Sequence, residues 1–320
     1  MNILIITSEW PTKSYPNDVP FLVDNIRSIQ EHGIYTDVLK VDSGSIYSQF
    51  NSIWKIKNKL SLKPYDLIHT HFGWNGLIGI WFDKPHIISF HGSDLNHPNR
   101  WTIRTIIIHI ISQLSTLFST RNIFVSDSLV NRSIRKSINP NIIPMGVNLE
   151  KFKLMDKNES RRQLNLSLDK KIILFGGNKS QPVKRVILAQ KAMAQLGDDY
   201  KLITIDYENH DKIPLYLNAV DALLMTSESE GSPMMVKEAL ACNLPIISTD
   251  VGDVKSMISG LDNCHIINNE SPVSIAKIVE ECISNGIHPV GRDKIKKNYS
   301  VEAIADQVIN VYKDVLNKTF

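Results

Sequence analysis

Two doubly wound α/β domains in tandem are what this 320-residue chain predicts, and three observations lead there. Short apolar runs alternate with amphipathic stretches along the whole length, the pattern of parallel strands joined by crossover helices. A polar segment, Asn148 to Lys171, separates one such series from a second. The length is enough for two domains of ordinary size, each with its own core. The expected division is 1–160 and 161–320, with the C-terminal helix packing back on the first domain as an alternative.

In the first series, strands are expected near 2–7, 35–41, 66–70, 86–90, 122–125 and 141–143, and helices near 20–32, 46–60, 101–118 and 127–137. The opening run Asn2-Ile3-Leu4-Ile5-Ile6-Thr7 sets the type. The helix at 46–60 carries Phe50, Ile53 and Trp54 with Lys55, Lys57 and Lys59 at its rim. The next helix holds the longest apolar stretch, Ile103 to Phe118, interrupted by Arg104, His109, Ser112 and Gln113. It is shorter than the roughly 20 residues a bilayer crossing needs, so no span is expected. Both stripes are expected to pack against the sheet, as crossover helices do; contact with a membrane surface is the alternative for each.

The second series opens with Ile172-Ile173-Leu174-Phe175. Its strands are expected near 172–176, 201–205, 221–225, 245–248 and 264–267, and its helices near 183–195, 212–219, 232–242, 253–259 and 271–284. Ser232 is the expected N-cap of the third of these helices, with Pro233 at its first position. A final helix, 300–316, spaces Val301, Ile304, Ala305, Val308, Ile309 and Tyr312 for core packing.

Composition narrows the function only by exclusion. A hydrophobic share of 42% and a charged share of 22% exclude disorder and collagen-like architecture. The net charge of +3 is unevenly placed, with 14 Lys and Arg against 11 Asp and Glu in residues 1–150 and 22 against 22 afterwards. That excess is too small for a nucleic-acid footprint but suits weak attraction to an anionic membrane. Cys242, Cys264 and Cys282 have no C-x-x-C spacing. A reducing cytoplasm is the expected compartment, with peripheral attachment at the inner face of the plasma membrane as an alternative.

Candidate chemistry clusters at strand ends, where open α/β sheets gather ligands, so two such domains facing each other would make a cleft. Glu230 and Glu238 stand either side of a helix start in Ser227-Glu228-Ser229-Glu230-Gly231-Ser232-Pro233. A helix N-terminus favours phosphate, and a carboxylate accepts two hydrogen bonds from a vicinal diol. The pair could therefore hold a nucleotide-sugar at both ends; a solvated acidic helix start is the plain alternative. Phe175-Gly176-Gly177-Asn178 leads through Lys179 to Lys184 and Arg185, glycines and then cations suited to a diphosphate. His91-Gly92-Ser93-Asp94 follows the fourth strand, where His91 suits a hydrogen bond to a ligand and Asp94 either a ligand or the turn itself. His69 and His71 share one strand face and with His91 and Asp94 could in principle hold a metal; a satisfied, partly buried His69 is the favoured reading.

Taken in order, His91 to Asp94, Pro144-Met145-Gly146-Val147-Asn148 with Phe152, the Gly176-to-Lys184 loop, and Glu230 to Glu238 within Glu-Gly-Ser-Pro-Met-Met-Val-Lys-Glu resemble the family 4 glycosyltransferases of the GT-B fold. The resemblance covers nearly the full chain and looks nearest to the branch that builds bacterial surface polysaccharides. It implies two Rossmann-like domains facing across a cleft, the second binding an activated sugar nucleotide. On that resemblance Glu238 holds the ribose hydroxyls, Glu230 the sugar hydroxyls, and Gly231, Ser232 and Met234 offer backbone amides. Lys184 pairs with the diphosphate, and His91 lies near the donor sugar. His91, Lys184 and Glu230 are thus the expected catalytic set, and Gly177, Asn178, Lys179 and Arg185 complete the donor site.

The resemblance further implies retention of configuration, no cofactor and no metal, with the leaving phosphate helping to deprotonate the acceptor. A UDP-sugar is the expected donor and a GDP-sugar the alternative. The acceptor is a glycan or a sugar on a polyprenyl diphosphate, met by peripheral membrane contact; no nucleic acid is involved. Three departures stand out: Asn178 replaces the usual arginine, leaving Lys179 or Arg185 as the second cation; the loop Pro11 to Pro20 lacks glycine, so Asn17 and Asp18 take its turns or serve the acceptor together with Asp94; and Ser232 replaces the usual phenylalanine. A GT-B epimerase or phosphorylase, and a two-lobed sugar-binding protein without chemistry, are the competing readings.

Overall fold

The computed structural model describes residues 1–13, 18–42, 46–96, 101–205 and 210–317, with main chain alone at 46–51 and 80. The chain divides into two compact units, Met1–Gly146 with Val301–Phe320, and Val147–Ser300.

The first unit runs β1 (Asn2–Thr7), α1 (Pro20–Glu31), β2 (Tyr35–Lys40), α2 (Ile46–Leu62), β3 (Leu67–His71), β4 (His86–Phe90), α3 (Ile103–Phe118), β5 (Arg121–Phe124), α4 (Asp127–Arg132) and β6 (Asn141–Ile142). Its strands form a six-stranded sheet in the order β2-β1-β3-β4-β5-β6, every pairing parallel. Chain order reverses between β1 and β3, the switch point of a doubly wound sheet. Successive residues of β1 point to opposite faces. Ile3 and Ile5 accordingly pack with Leu22 and Ile26 of α1, whereas Leu4 and Ile6 pack with Ile56 and Ile68.

The second unit runs α5 (Lys157–Gln163), β7 (Lys171–Phe175), α6 (Val186–Met193), β8 (Tyr200–Thr204), α7 (Ile213–Ala219), β9 (Ala222–Met225), α8 (Met234–Ala241), β10 (Ile246–Ser248), α9 (Val254–Ile258), β11 (His265–Ile266), α10 (Pro272–Asn285) and α11 (Gly291–Asn298). Its parallel sheet has the order β11-β10-β9-β7-β8, with the switch point between β7 and β9. Residues 147–160 pack with this unit. Phe152 is buried among Leu174, Leu217 and Leu240, the Arg292 guanidinium donates to the carbonyls of Leu149 and Ala241 at 2.9 and 2.7 Å, and buried Arg161 reaches Asp221 at 2.8 Å.

The last helix, α12 (Val301–Asn317), belongs to the first unit. Its apolar stripe, Ile304, Ala305, Val308 and Tyr312 included, joins the cluster of Ile3, Ile5 and Ile26. Tyr312 is fully buried, and its hydroxyl bonds His69 Nδ1 at 2.7 Å.

Several local expectations change. The helix expected at 183–195 is split by Arg185, whose φ of 53° is left-handed, into a short turn at Pro182–Lys184 and α6. Helix α8 starts at Met234 behind Pro233, and Ser232 makes no cap; its hydroxyl donates instead to Asp253 Oδ2 at 2.7 Å. In α2, Ile53 packs inward as expected, beside the buried Ile56, while Trp54 is exposed; the side chain of Phe50 lies outside the described residues. The largest change concerns α3. Its fully buried residues are Ser112, Ser115 and Thr116, and its isoleucine stripe faces outward. The cause is the glycine-rich 3₁₀ segment Gly73–Trp81. Three residues per turn align Gly73, Gly76 and Gly79, and a Cβ at Gly73 or Gly76 would come within 2.8 Å of Ser112 Cβ or 2.7 Å of Ser115 Cβ. Only small side chains fit against so close a backbone.

Candidate functional site

In the second unit the loops after β7 and β9 leave the sheet on either side of its switch point. They are zipped together by main chain. The Glu228 N–H donates to the Val183 carbonyl at 2.9 Å, and Thr226 Oγ1 donates to the carbonyls of Lys184 and Arg185 at 3.0 and 3.1 Å. Arg185 closes the same seam: its Nε donates to the Thr226 carbonyl at 2.6 Å and its fork grips Glu270 at 2.6 and 3.2 Å. A guanidinium so engaged sets the loop's shape. Lys179 is exposed, while Asn178 Oδ1 accepts from the Ser180 N–H and hydroxyl at 2.9 and 2.7 Å and shapes the turn between them.

This seam brings Lys184 to Glu230, with Nζ 2.6 Å from Oε1 and both side chains mostly covered. The lysine stem lies along the backbone of Gly177, where an added Cβ would sit 2.9 Å from its Cδ. Gly177 is therefore the slot in which the lysine rests. Gly252, at φ +59°, does the same for the glutamate loop, since a Cβ there would stand 2.5 Å from the Gly231 carbonyl oxygen. Ser232 bonded to Asp253 ties the other side of that loop.

One turn into α8, Glu238 is buried, and its Oε1 lies 3.1 Å from His210 Nε2. His210 in turn meets the Phe152 ring edge-on at 5.6 Å. His210 was not legible in the sequence as a partner of Glu238, because it belongs to no recognisable motif. Lys237, beside Glu238, is fully buried; burial lowers its ammonium to about 8 against the opposing charges of Asp253 and Glu238. Gly231 is buried, and Ser232 and Met234 are half-buried at the same helix start.

In the first unit, His91 Nε2 lies 3.0 Å from His71 Nδ1, with the rings stacked at 5.2 Å. The His71 ring lies 4.4 Å from that of His69, tilted by 33°, and His69 bonds Ser89 Oγ at 2.8 Å as well as Tyr312. Burial lowers His69 to about 3 and holds His71 well below the ordinary range, so both are neutral near pH 7. Among the described residues no group of three or more His, Cys, Asp or Glu is arranged to hold a metal. Asp94 is fully buried and accepts from the N–H groups of Gly92, His91 and Gly73 at 2.9, 3.1 and 3.1 Å. Its carboxylate holds the loop, the turn role that the sequence also offered; burial raises it against those three bonds. Asn17 lies outside the described residues. Asp18 is half-buried, and desolvation together with its charge raises the carboxyl of Glu9, a residue at the β1 end that no motif had marked.

The profile of Glycosyltransferase Family 4 matches residues 3–151, and that of Glycosyl transferases group 1 matches residues 201–301. The chain is similar to the putative teichuronic acid biosynthesis glycosyltransferase TuaC of Bacillus subtilis (strain 168), 26% identical over 258 residues. That match covers 72% of this chain and 64% of TuaC, so the chain spans less than two thirds of that relative. Sucrose-phosphate synthase (tll1590) from Thermosynechococcus elongatus superposes with a TM-score of 0.83 at 16% identity, over 99% of each chain. Anabaena Alr3699/HepE in complex with UDP-glucose gives 0.77 at 15% identity, over 98% of this chain and 100% of that one. These likenesses at low identity show the fold, GT-B with two Rossmann-like domains.

Proposed function

The chain belongs to the family 4 glycosyltransferases, and on that premise we propose that it moves a sugar from a nucleoside-diphosphate donor to a hydroxyl of a glycan or lipid-linked glycan, with retention, in the building of a surface polysaccharide. The Lys184–Glu230 pair carries this reading. Without donor, each neutralises the other. With donor, the ammonium turns to the diphosphate and stabilises the charge that grows on it as the glycosidic bond breaks, while Glu230 is released to accept hydroxyls of the sugar.

Glu238 takes the ribose diol, a role supported by its burial and by its contact with the His210 ring at 3.1 Å, which leaves it without a direct ion pair to a lysine or arginine among the described residues. Amides of Gly231, Ser232 and Met234 face the phosphates from the start of α8. Lys179 supplies the second cation, because Arg185 is engaged with Glu270. His91, held by His71, is assigned a hydroxyl of the transferred sugar on the strength of the resemblance. The leaving phosphate takes the acceptor proton, so no protein nucleophile and no metal are required. A UDP-sugar is the proposed donor; the UDP-glucose complex of HepE supports it, and the TuaC similarity supports a surface-polysaccharide setting.

The test is incubation with UDP- and GDP-sugars and a glycan acceptor, following free nucleoside diphosphate and the anomeric configuration of the product. Release of diphosphate coupled to a product that keeps the donor's anomeric configuration is expected. Inversion, or interconversion of the donor without release, would overturn the reading.

A further inference from the structure

We propose that the recess at the start of β5 and β6 is a binding site for a phosphate group, free or carried on a sugar. Arg121 and Asn141 open these two strands, and Asn122, Arg135, Ser137 and Asn139 line the recess with them. His91 follows the other end of β4, so in this parallel sheet the recess lies at the edge away from it. It takes no part in the sugar transfer proposed above and stands or falls without it.

The floor is fixed by the fold. Asn122 is buried and held from both sides, its Oδ1 accepting from the Ser119 hydroxyl at 2.6 Å and its Nδ2 donating to the Thr116 carbonyl at 2.8 Å. Asn141 Nδ2 donates to the Asn122 carbonyl at 3.0 Å and ties the two strand starts together. Arg135 is anchored through Nη1, which donates to the carbonyls of Thr116 and Ser119 at 3.1 and 2.7 Å, at the C-terminal end of α3. Its Nε and Nη2 donors, the guanidinium of Arg121, the Ser137 hydroxyl and the Asn139 amide make no hydrogen bond or ion pair among the described residues.

Charge selects the ligand. From Leu95 to Leu149 the sequence holds six Lys and Arg and a single acid, Asp127. Asp127 begins α4, past the opposite end of β5. The carbonyl end of a helix offers about half a negative charge. Two half-buried guanidiniums beside one such end stay uncompensated, and an anion supplies the balance. The cavity is about 40 Å³, several times the roughly 10–15 Å³ that one water needs. That is room for a phosphate and not for a nucleotide. A phosphate group also brings three strong acceptor oxygens, which two arginine forks on different elements, a hydroxyl and an amide can share.

The experiment is calorimetric titration of the full chain with inorganic phosphate and with glucose 6-phosphate, beside Arg121→Gln, Asn139→Asp and, as a control on the second unit, Lys184→Ala. The Arg121 guanidinium has no bond to lose and Asn139 is exposed, so both recess variants fold; unchanged melting curves verify this. Wild type is expected to bind phosphate, each recess variant at least about tenfold more weakly, and the Lys184 variant as wild type does. Tighter binding of the sugar phosphate identifies a group carried on a sugar, and equal binding a free one. Three results would overturn the proposal: wild type that binds neither compound, recess variants that bind as tightly as wild type, or phosphate binding that Lys184→Ala abolishes and the recess variants leave intact.

Discussion

Lys184 Nζ sits 2.6 Å from Glu230 Oε1, and the lysine stem rests in a slot that only Gly177 leaves open. The ammonium is therefore held by the carboxylate and by a loop seam of three side chains, Thr226, Arg185 and Glu270, and under the proposed function it is aimed before a donor arrives. Pre-aiming removes part of the ordering cost of binding.

Lys184→Ala should lower kcat far more than it raises the KM for donor, by roughly 2–4 kcal/mol in kcat/KM, the range for losing one preorganised charge at a developing anion. Steady-state kinetics of diphosphate release measure it; an equal rise of KM with kcat intact would assign the lysine to binding alone. Gly177→Ala should give a weaker version of the same defect, because its Cβ displaces the lysine stem without removing the charge.

Gly252→Ala should disturb the glutamate loop from behind. At φ +59°, with the Gly231 carbonyl oxygen 2.5 Å from an added Cβ, the substitution costs about 1–3 kcal/mol. A lower melting temperature and a weaker nucleotide affinity should appear together. A variant as stable and as tight as wild type would show that the loop yields without cost.

Acid should destabilise the first unit through its histidines. His69 and His86 titrate at about 3 and about 4 in the folded state, chiefly through burial, against about 6.5 unfolded. The unfolded chain thus binds more protons below that value, so the contribution is complete above about pH 6.5 and is lost as pH falls toward the folded values. Each adds a slope approaching 1.4 kcal/mol per pH unit in that window. Denaturant titrations at pH 7.5, 6 and 5 should show the decline, and a flat profile would contradict the buried neutral state.

Most strands were legible because buried parallel strands read as continuous apolar runs: Asn2–Thr7 and Ile172–Phe175 needed nothing else. Helices α5 and α11 were not, since Lys157–Gln163 and Gly291–Asn298 are charged sequences whose places depend on single buried groups, Arg161 and Ile295. The stripe of α3 was legible but its direction was not. Periodicity marks an apolar face without saying what covers it, and only the closeness of Gly73 and Gly76 to Ser112 and Ser115 turns it outward. In the site, Lys184, Glu230 and Glu238 were marked by glycines and a helix start. Ser232 went astray because a nearby carboxylate, Asp253, outcompeted the helix end for its hydroxyl. His210 and Glu9 escaped notice because tertiary contact alone gives them partners.

Under the proposed function the second unit holds a nucleotide site anchored on Glu238, one turn into α8. Calorimetric titration of UDP, GDP, ADP and TDP into wild type and Glu238→Ala tests it most directly. One diphosphate, UDP by this account, should bind wild type, and the variant should lose roughly 2–5 kcal/mol of that affinity while remaining folded. A folded variant that binds the same nucleotide as tightly as wild type would contradict it.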